Sequence, residues 1–202
     1  MKPLIAIAAL FGCTACQSIG WSTPLDSQFV TPSLNGDIQE LDDFFGNQPT
    51  PLMSQTTGNQ VSYHVSFDPD LGVRGHAGVV PGAVVTDFAS ATNTMTMTGF
   101  YRVEWEIYET ATTNNIQLEQ QGKSGGNVTL VADINAGTFV GTSDQDSNLS
   151  VNGAFTGNDL SGTVTYRGVE GDLEGLIGGN EAVAAFHGND ARTVFAGGFI
   201  AN

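Results

Sequence analysis

The chain has 202 residues and a formal net charge of −15 at pH 7, from 6 lysines and arginines against 21 aspartates and glutamates. This charge repels phosphate backbones and anionic lipid surfaces, so nucleic acid is not an expected partner. With 26 glycines and no sustained helical periodicity after the first residues, the composition indicates an all-β protein.

The first residues have the features of an export signal that ends in a cysteine. Lys2 is followed by an apolar run from Leu4 to Gly12, far shorter than the ~20 residues that span a bilayer. Small residues precede Cys16, as in bacterial lipoprotein signals. The sequence therefore predicts a lipoprotein signal peptide at residues 1–15 and a lipid anchor on Cys16. Cys13 is the alternative acylation site. Two other interpretations of this segment are a cleaved signal of a soluble secreted protein and a redox-active pair formed by Cys13 and Cys16.

Residues 16–57 are predicted to be a flexible tether. The segment is polar and is interrupted by prolines at positions 24, 32, 49 and 51, which suits an extended spacer. Leu41, Phe44 and Phe45 form its main apolar cluster and are expected to make one helical turn against the domain that follows. That domain is predicted to span residues 58–202.

The clearest strand is predicted between Met95 and Ile107, where side chains alternate strictly. Residues at odd positions, including Trp105, are expected to face the core, and those at even positions, including Glu104 and Glu106, to face water. The remaining strands and the glycine- and asparagine-rich turns between them recur about every ten residues. The other predicted strands are Val61–Phe67, Val79–Phe88, Ile116–Gln121, Val128–Ile134, Thr138–Thr142, Leu149–Phe155, Leu160–Tyr166, Asp172–Ile177, Ala182–His187 and Thr193–Ile200, with one of the turns at Ser124–Asn127.

This pattern predicts a soluble antiparallel up-and-down β-barrel of about eight to ten strands, because closing the meander removes its exposed edges. A membrane-spanning barrel has the same periodicity. Its strands need a continuous apolar belt and aromatic girdles, whereas the strands of this chain are rich in glycine and threonine and uneven in length.

The C-terminal segment resembles the β-barrel domain of the transferrin-binding protein B family, Gram-negative surface lipoproteins that also look related to factor H-binding protein. Gly175, Gly178, Ala182, Phe186 and the closing run Val194–Phe199 match the order of the family's final strands. This chain departs from the family at Leu176-Ile177, where Phe-Tyr is preferred, and at Ala184-Ala185, where Gly-Gly is preferred. The resemblance implies a barrel displayed by a lipid anchor. It does not carry over transferrin or iron capture, because the family has two lobes, each with a handle domain.

The residues give little indication of catalysis or metal binding. His64, His76 and His187 have no second ligand at short spacing, so no zinc site is predicted. Asp144 opens a calcium-like run that lacks the required glycine and glutamate. Glu104 and Glu106 share a strand face, but no serine is recognisable beside a base. We therefore expect no enzyme activity, no cofactor and no metal.

The leading functional hypothesis is a non-catalytic, lipid-anchored protein of the outer membrane, displayed on the cell surface, that binds a macromolecular partner, most simply a protein, through barrel loops. Two alternatives remain open. One is a lipocalin-like carrier of a small apolar ligand, because barrels of about eight strands can enclose one. The other is a structural envelope lipoprotein with no dedicated ligand.

Overall fold

The computed structural model describes residues 25–29, 52–54, 59–68, 72–80, 93–110, 116–144 and 148–202. Cys13, Cys16 and the cluster formed by Leu41, Phe44 and Phe45 lie outside these residues, and so do most of the predicted tether and the segment 81–88. The described residues form twelve strands: β1 (Leu25–Phe29), β2 (Leu52–Ser54), β3 (Gln60–Asp68), β4 (Gly72–Val80), β5 (Thr94–Thr110), β6 (Ile116–Asp133), β7 (Thr138–Ser143), β8 (Leu149–Thr156), β9 (Asp159–Tyr166), β10 (Val169–Gly178), β11 (Glu181–Asn189) and β12 (Thr193–Ala201).

Strands β5 to β12 form a closed antiparallel barrel in which each strand pairs with its neighbours in the sequence. Closure is made between the last strand and the first, with Thr193 opposite Ile107 and Ala201 opposite Gly99. Glycines at positions 137, 157, 168 and 179 adopt positive φ in the turns, as tight hairpins require. The predicted all-β, up-and-down barrel is confirmed, with eight strands.

Large apolar side chains fill the interior of the barrel. Tyr166 and Phe195 lie 5.6 Å apart between ring centroids, and Phe186 and Phe195 lie 6.3 Å apart. An eight-stranded barrel is just wide enough for such side chains to pack across it. The largest fully buried members are Tyr101, Tyr166, Phe186, Phe195, Phe199, Met97, Leu130, Leu149, Leu173 and Ile177.

A separate four-stranded sheet, in the order β1-β4-β3-β2, covers one outer side of the barrel. We call it the small sheet. Its strand β1 runs parallel to β4, and the other pairs are antiparallel. Gly198 of the barrel allows this close packing, because a Cβ placed there would lie 2.3 Å from Cγ1 of Val61.

The small sheet differs from the layout expected from the sequence. The predicted strand Val61–Phe67 was expected within the barrel and forms β3 of the small sheet instead. No strand was predicted over most of β4, which shares only residues 79–80 with the predicted strand Val79–Phe88, and β1 and β2 fall within residues 16–57. The physical reason is that β11 and β12 are apolar on both faces, so their outward side chains need a second cover. The small sheet supplies it, and the two faces share one core that contains Val61, Tyr63, Val65, Val73, Ala77, Val79, Val183, Ala185, Val194, Ala196 and Ile200.

The turn predicted at Ser124–Asn127 is wrong, since β6 runs through it without a break from Ile116 to Asp133. Its glycines serve close packing instead of chain reversal. A Cβ on Gly125 would lie 2.8 Å from the carbonyl oxygen of Tyr101, and one on Gly126 would lie 3.2 Å from the ring of Tyr101. Glycine in a strand therefore marked a close approach here, which is its other common role.

Candidate functional site

The hairpin of β5 and β6 extends beyond the rest of the barrel wall. Strand β6 pairs with β5 over Ile116–Asp133 but with β7 only over Val128–Asp133. A bulge between Ile107 and Tyr108 shifts the register near the end of the hairpin. The outer half of β6 thus projects at one end of the barrel, which we call the hairpin end.

A polar network ties the outer face of this hairpin to the small sheet. One carboxylate oxygen of Glu104 lies 2.7 Å from Nδ1 of His64 and accepts a hydrogen bond from the backbone N–H of Val65 at 3.1 Å. Lys123 Nζ lies 3.1 Å from the other oxygen. Burial alone raises the pKa of Glu104, but the bonds from His64, Lys123 and Val65 outweigh it and lower that pKa below its usual value. Glu104 is therefore an anchored anion that holds two parts of the molecule together.

Glu106 lies two residues further along and accepts a hydrogen bond from the hydroxyl of Tyr108. Burial raises the pKa of Glu106, and burial together with the neighbouring carboxylate raises the pKa of Tyr108. The sequence placed Glu104 and Glu106 on one strand face, which the structure confirms. Their surroundings push their pKa values in opposite directions, but each carboxylate is already engaged by neighbouring side chains.

Two cavities lie along the outer face, one on either side of Lys123. The larger, about 390 Å³, is bordered by Tyr63, Phe100, Arg102, Lys123 and the glycines of β6. The smaller, about 300 Å³, is bordered by Glu104, Glu106, Gln121 and Lys123. The larger cavity is lined by cationic and aromatic side chains, while the charged side chains that line the smaller cavity are mainly carboxylates.

Trp105 occupies the inner side of the hairpin end. Its indole N–H donates to Ser124 Oγ at 3.2 Å, and the guanidinium carbon of Arg167, in the turn between β9 and β10, lies 4.1 Å from its ring centroid. Gly122 makes room for the ring, because a Cβ there would lie 2.9 Å from it. The tryptophan is only partly buried and the arginine is exposed, so an aromatic and a cationic group are presented together.

The hairpin end also gathers most of the scarce positive charge. After Lys2 the chain has five basic residues, and Arg102, Lys123, Arg167 and Arg192 all lie on or against this hairpin. Arg192 contacts Glu119 at 2.6 Å and the carbonyl oxygen of Tyr108 at 3.2 Å. Sequence reasoning missed this grouping, because these residues are far apart in the chain and only barrel closure brings them together.

A second polar cluster joins β1 to β11 and corrects one expectation. Ser27 Oγ lies 3.0 Å from Nδ1 of His187, a contact between residues 160 positions apart, although no serine was recognisable beside a base. The hydroxyl of Ser27 donates to Asn189 Oδ1 at 2.8 Å, so His187 Nδ1 is the donor to Ser27. A nucleophilic serine needs the opposite arrangement. This cluster docks the small sheet on the barrel.

The three histidines that the sequence left isolated lie at or near the contact between the small sheet and the barrel. Burial, reinforced by Arg74, lowers the pKa of His76 to about 4, and burial also lowers the pKa of His187. Within the described ranges, no group of three or more His, Cys, Asp or Glu residues has the arrangement of a metal site. A helix long and apolar enough to span a membrane is not found in the same ranges.

No protein-family model and no curated protein matches this chain. Solved structures do match. A double mutant of transferrin binding protein B from Haemophilus parasuis Hp5 has a TM-score of 0.51 at 12% identity, over 76% of this chain and 34% of that chain. Transferrin binding protein B from Actinobacillus pleuropneumoniae H49, as a single mutant, has a TM-score of 0.49 at 13% identity, over 76% and 81%. HpuA from Kingella denitrificans, in complex with human haemoglobin, has a TM-score of 0.34 at 14% identity, over 76% and 67%.

The chain spans about a third of the length of the Haemophilus parasuis structure. The similarity extends to the fold, and the family resemblance indicated by the C-terminal strands is confirmed at that level. This chain has a closed eight-stranded barrel similar in fold to part of that transferrin binding protein B structure.

Proposed function

We propose that this chain is a lipid-anchored surface protein that binds a macromolecular partner, a protein in the simplest case, through the hairpin end of its barrel and does not catalyse a reaction. The observation that carries the proposal is the contact of the partly buried Trp105 with the exposed Arg167, whose guanidinium carbon lies 4.1 Å from the ring centroid. Tryptophan and arginine are the residues most enriched at the energetic centres of protein interfaces. The barrel fold of a surface lipoprotein supports the same proposal.

The filled barrel argues against the carrier alternative. Tyr101, Phe186, Phe195 and Phe199 have relative exposures of 0–1% inside the barrel, where an apolar ligand would have to replace them. A carrier of this size keeps part of its interior free for its ligand. The outer surface and the barrel ends are therefore the places where this molecule can recognise a partner.

The test is site-specific photo-crosslinking on cells that display the full chain. A photo-reactive amino acid at Glu170, an exposed residue three positions after Arg167, is expected to capture one reproducible partner, and Trp105→Ala is expected to reduce the yield at least tenfold. The matched control is the same photo-reactive group at Val140, which is 57% exposed on the barrel wall. Equal capture from both positions, or capture that ignores Trp105→Ala, would contradict binding at the hairpin end.

The anchor requires its own test, because Cys16 and Cys13 lie outside the described residues. Metabolic labelling with palmitate is expected to label the wild-type chain and to leave the Cys16→Ala, Cys13→Ala double variant unlabelled. Each single variant identifies which cysteine is acylated. A double variant that still fractionates with membranes removes the anchor from the proposal.

A further inference from the structure

In the part of the chain that the structure describes, the outer half of β6 has one edge without a partner strand. Among the described residues no strand pairs with it on the side away from β5 until Val128 meets Ser143. The carbonyl oxygen of Asn127 accepts the N–H of Asp144 at 3.2 Å on this side. In an antiparallel ladder the N–H and C=O of one residue point to the same side and alternate along the strand. Gly125, Lys123 and Gln121 therefore present their backbone groups to the free edge.

From this edge we infer the kind of partner that the protein binds: an extended segment that adds to β6 as a further strand. The inference rests on the proposed function and assigns a binding mode to it. Unpaired strand edges are ready-made templates for another chain, and backbone bonds supply most of the affinity in such additions. Residues 121–125 offer the backbone N–H and C=O groups of three alternate residues for that purpose.

The side chains around the edge specify what the added segment carries on each face. On the inner face, Gly122 has no side chain, so the partly buried ring of Trp105 lies against the strand. An inward residue of an added strand would meet this ring, which favours apolar, β-branched side chains. On the outer face, the side chain of Lys123 is 64% exposed and its Nζ lies 3.1 Å from Glu104. Lys123 can share its charge with a second carboxylate, which favours acidic side chains on the outer face of the added strand.

Arg102 strengthens the preference for acidic side chains on the outer face. It is exposed, pairs across the strands with Gly125, and has no ion-pair partner within the described part of the chain. Neighbouring strands lie ~4.8 Å apart, so an arginine can reach over a glycine towards the next strand. The expected segment alternates apolar and acidic residues. A second copy of this chain is a poorer occupant, because each copy carries a net charge of −15.

The geometry also fixes which residues of the added strand bond to β6. Directly opposite residues in a sheet point to the same face, and the edge-facing residues of β6 are the ones with outward side chains. We take the added strand to run antiparallel to β6, as β5 and β7 do, and opposite residues of an antiparallel pair exchange their backbone bonds. The acidic residues of the added strand therefore donate the backbone N–H groups. The apolar residues point their N–H groups away from β6.

The experiment uses a fluorescent seven-residue probe, acetyl-Thr-Glu-Val-Glu-Val-Glu-Thr-amide, with the full chain solubilised in detergent. Methylating the backbone nitrogens of its glutamates is expected to abolish binding, whereas methylating those of its valines is expected to leave binding within about twofold. On binding, the amides of Gln121, Lys123 and Gly125 are expected to gain protection from hydrogen exchange, while those of Gly122 and Ser124 stay unchanged. Equal effects of the two methylations, or protection confined to other residues, would overturn the inference.

A matched pair of protein variants separates this inference from the proposed function. Gln121→Pro removes one edge-facing N–H and is expected to weaken probe binding about tenfold, while Gln121→Thr keeps that N–H and binds as wild type. If crosslinking from Glu170 still captures its partner in Gln121→Pro with undiminished yield, strand addition is wrong and the proposed function stands. If the probe binds with the expected methylation pattern but no partner is captured, the edge stands and the proposed function fails. Dimers formed through residues 121–125 would overturn the choice of occupant.

Discussion

The stability of this protein depends on pH through single buried residues, of which His76 is the clearest example. It is 5% exposed between the small sheet and the barrel, and its pKa is lowered to about 4 from 6.5, first by burial and then by Arg74. The folded state therefore binds fewer protons than the unfolded state between these values, so stability is complete above 6.5 and falls as the pH decreases towards 4. We expect the free energy of unfolding to decrease by about 2 kcal/mol from His76 alone between about pH 7 and about pH 5. His187 acts in the same direction.

The measurement is urea unfolding at several pH values, for the wild type and for His76→Gln. The variant keeps a polar side chain but has no proton to gain, so its stability is expected to change less over this interval, by about the amount assigned to His76. Carboxylates, including Glu106 with its raised pKa, are present in both proteins, so the difference between the two stability curves reports His76. The assignment to His76 is wrong if both proteins lose the same stability between the two pH values.

At the scale of the element, most strands could be predicted from the sequence, but the sheet that each strand joins could not. The alternation from Met95 to Ile107 predicted β5 and the inward side of Trp105, because period-two patterning follows directly from strand geometry. The same alternation in Val61–Phe67 gave β3 but not its place in the small sheet. Local pattern reports which face of a strand is buried, and it does not report which partner covers that face.

Continuous runs of small apolar residues indicate strands that are covered on both faces, which a search for alternating residues does not detect. Strands β11 and β12 are buried at nearly every position, and such continuous runs are typical of strands covered on both sides. That pattern, applied to Ala182–Phe186 and Val194–Ala201, predicts a second layer outside the barrel. The site was harder to predict, because Ser27 and His187 or Trp105 and Arg167 meet only after the chain has closed the barrel.

The described residues form a barrel with its own interior core and a small sheet that packs on its wall through a second apolar cluster, so the small sheet and the barrel depend on each other. Val61 and Tyr63 of the small sheet pack with Val183 and Ile200 of the barrel wall in one cluster. The anchored carboxylate of Glu104 and the hydroxyl of Ser27 add polar ties between the layers. We therefore expect the wild-type layers to unfold together in a single transition, and we expect a change that weakens the cluster between them to let the small sheet open before the barrel.

Gly198→Ala tests this dependence. A Cβ at position 198 would lie 2.3 Å from Cγ1 of Val61 and 2.5 Å from the carbonyl oxygen of Ala184, so the small sheet has to shift away from the barrel. We expect a loss of about 3 kcal/mol in the free energy of unfolding, together with faster hydrogen exchange in β3 and β4 than in β8 and β9. The control is Gly157→Asn, because asparagine tolerates its φ of 62° and nothing lies within 4 Å of the added atom. A full loss of protection in β8 and β9 at the same rate would mean that the layers open only by global unfolding, whereas an unchanged stability would show that the close packing between them is not tight.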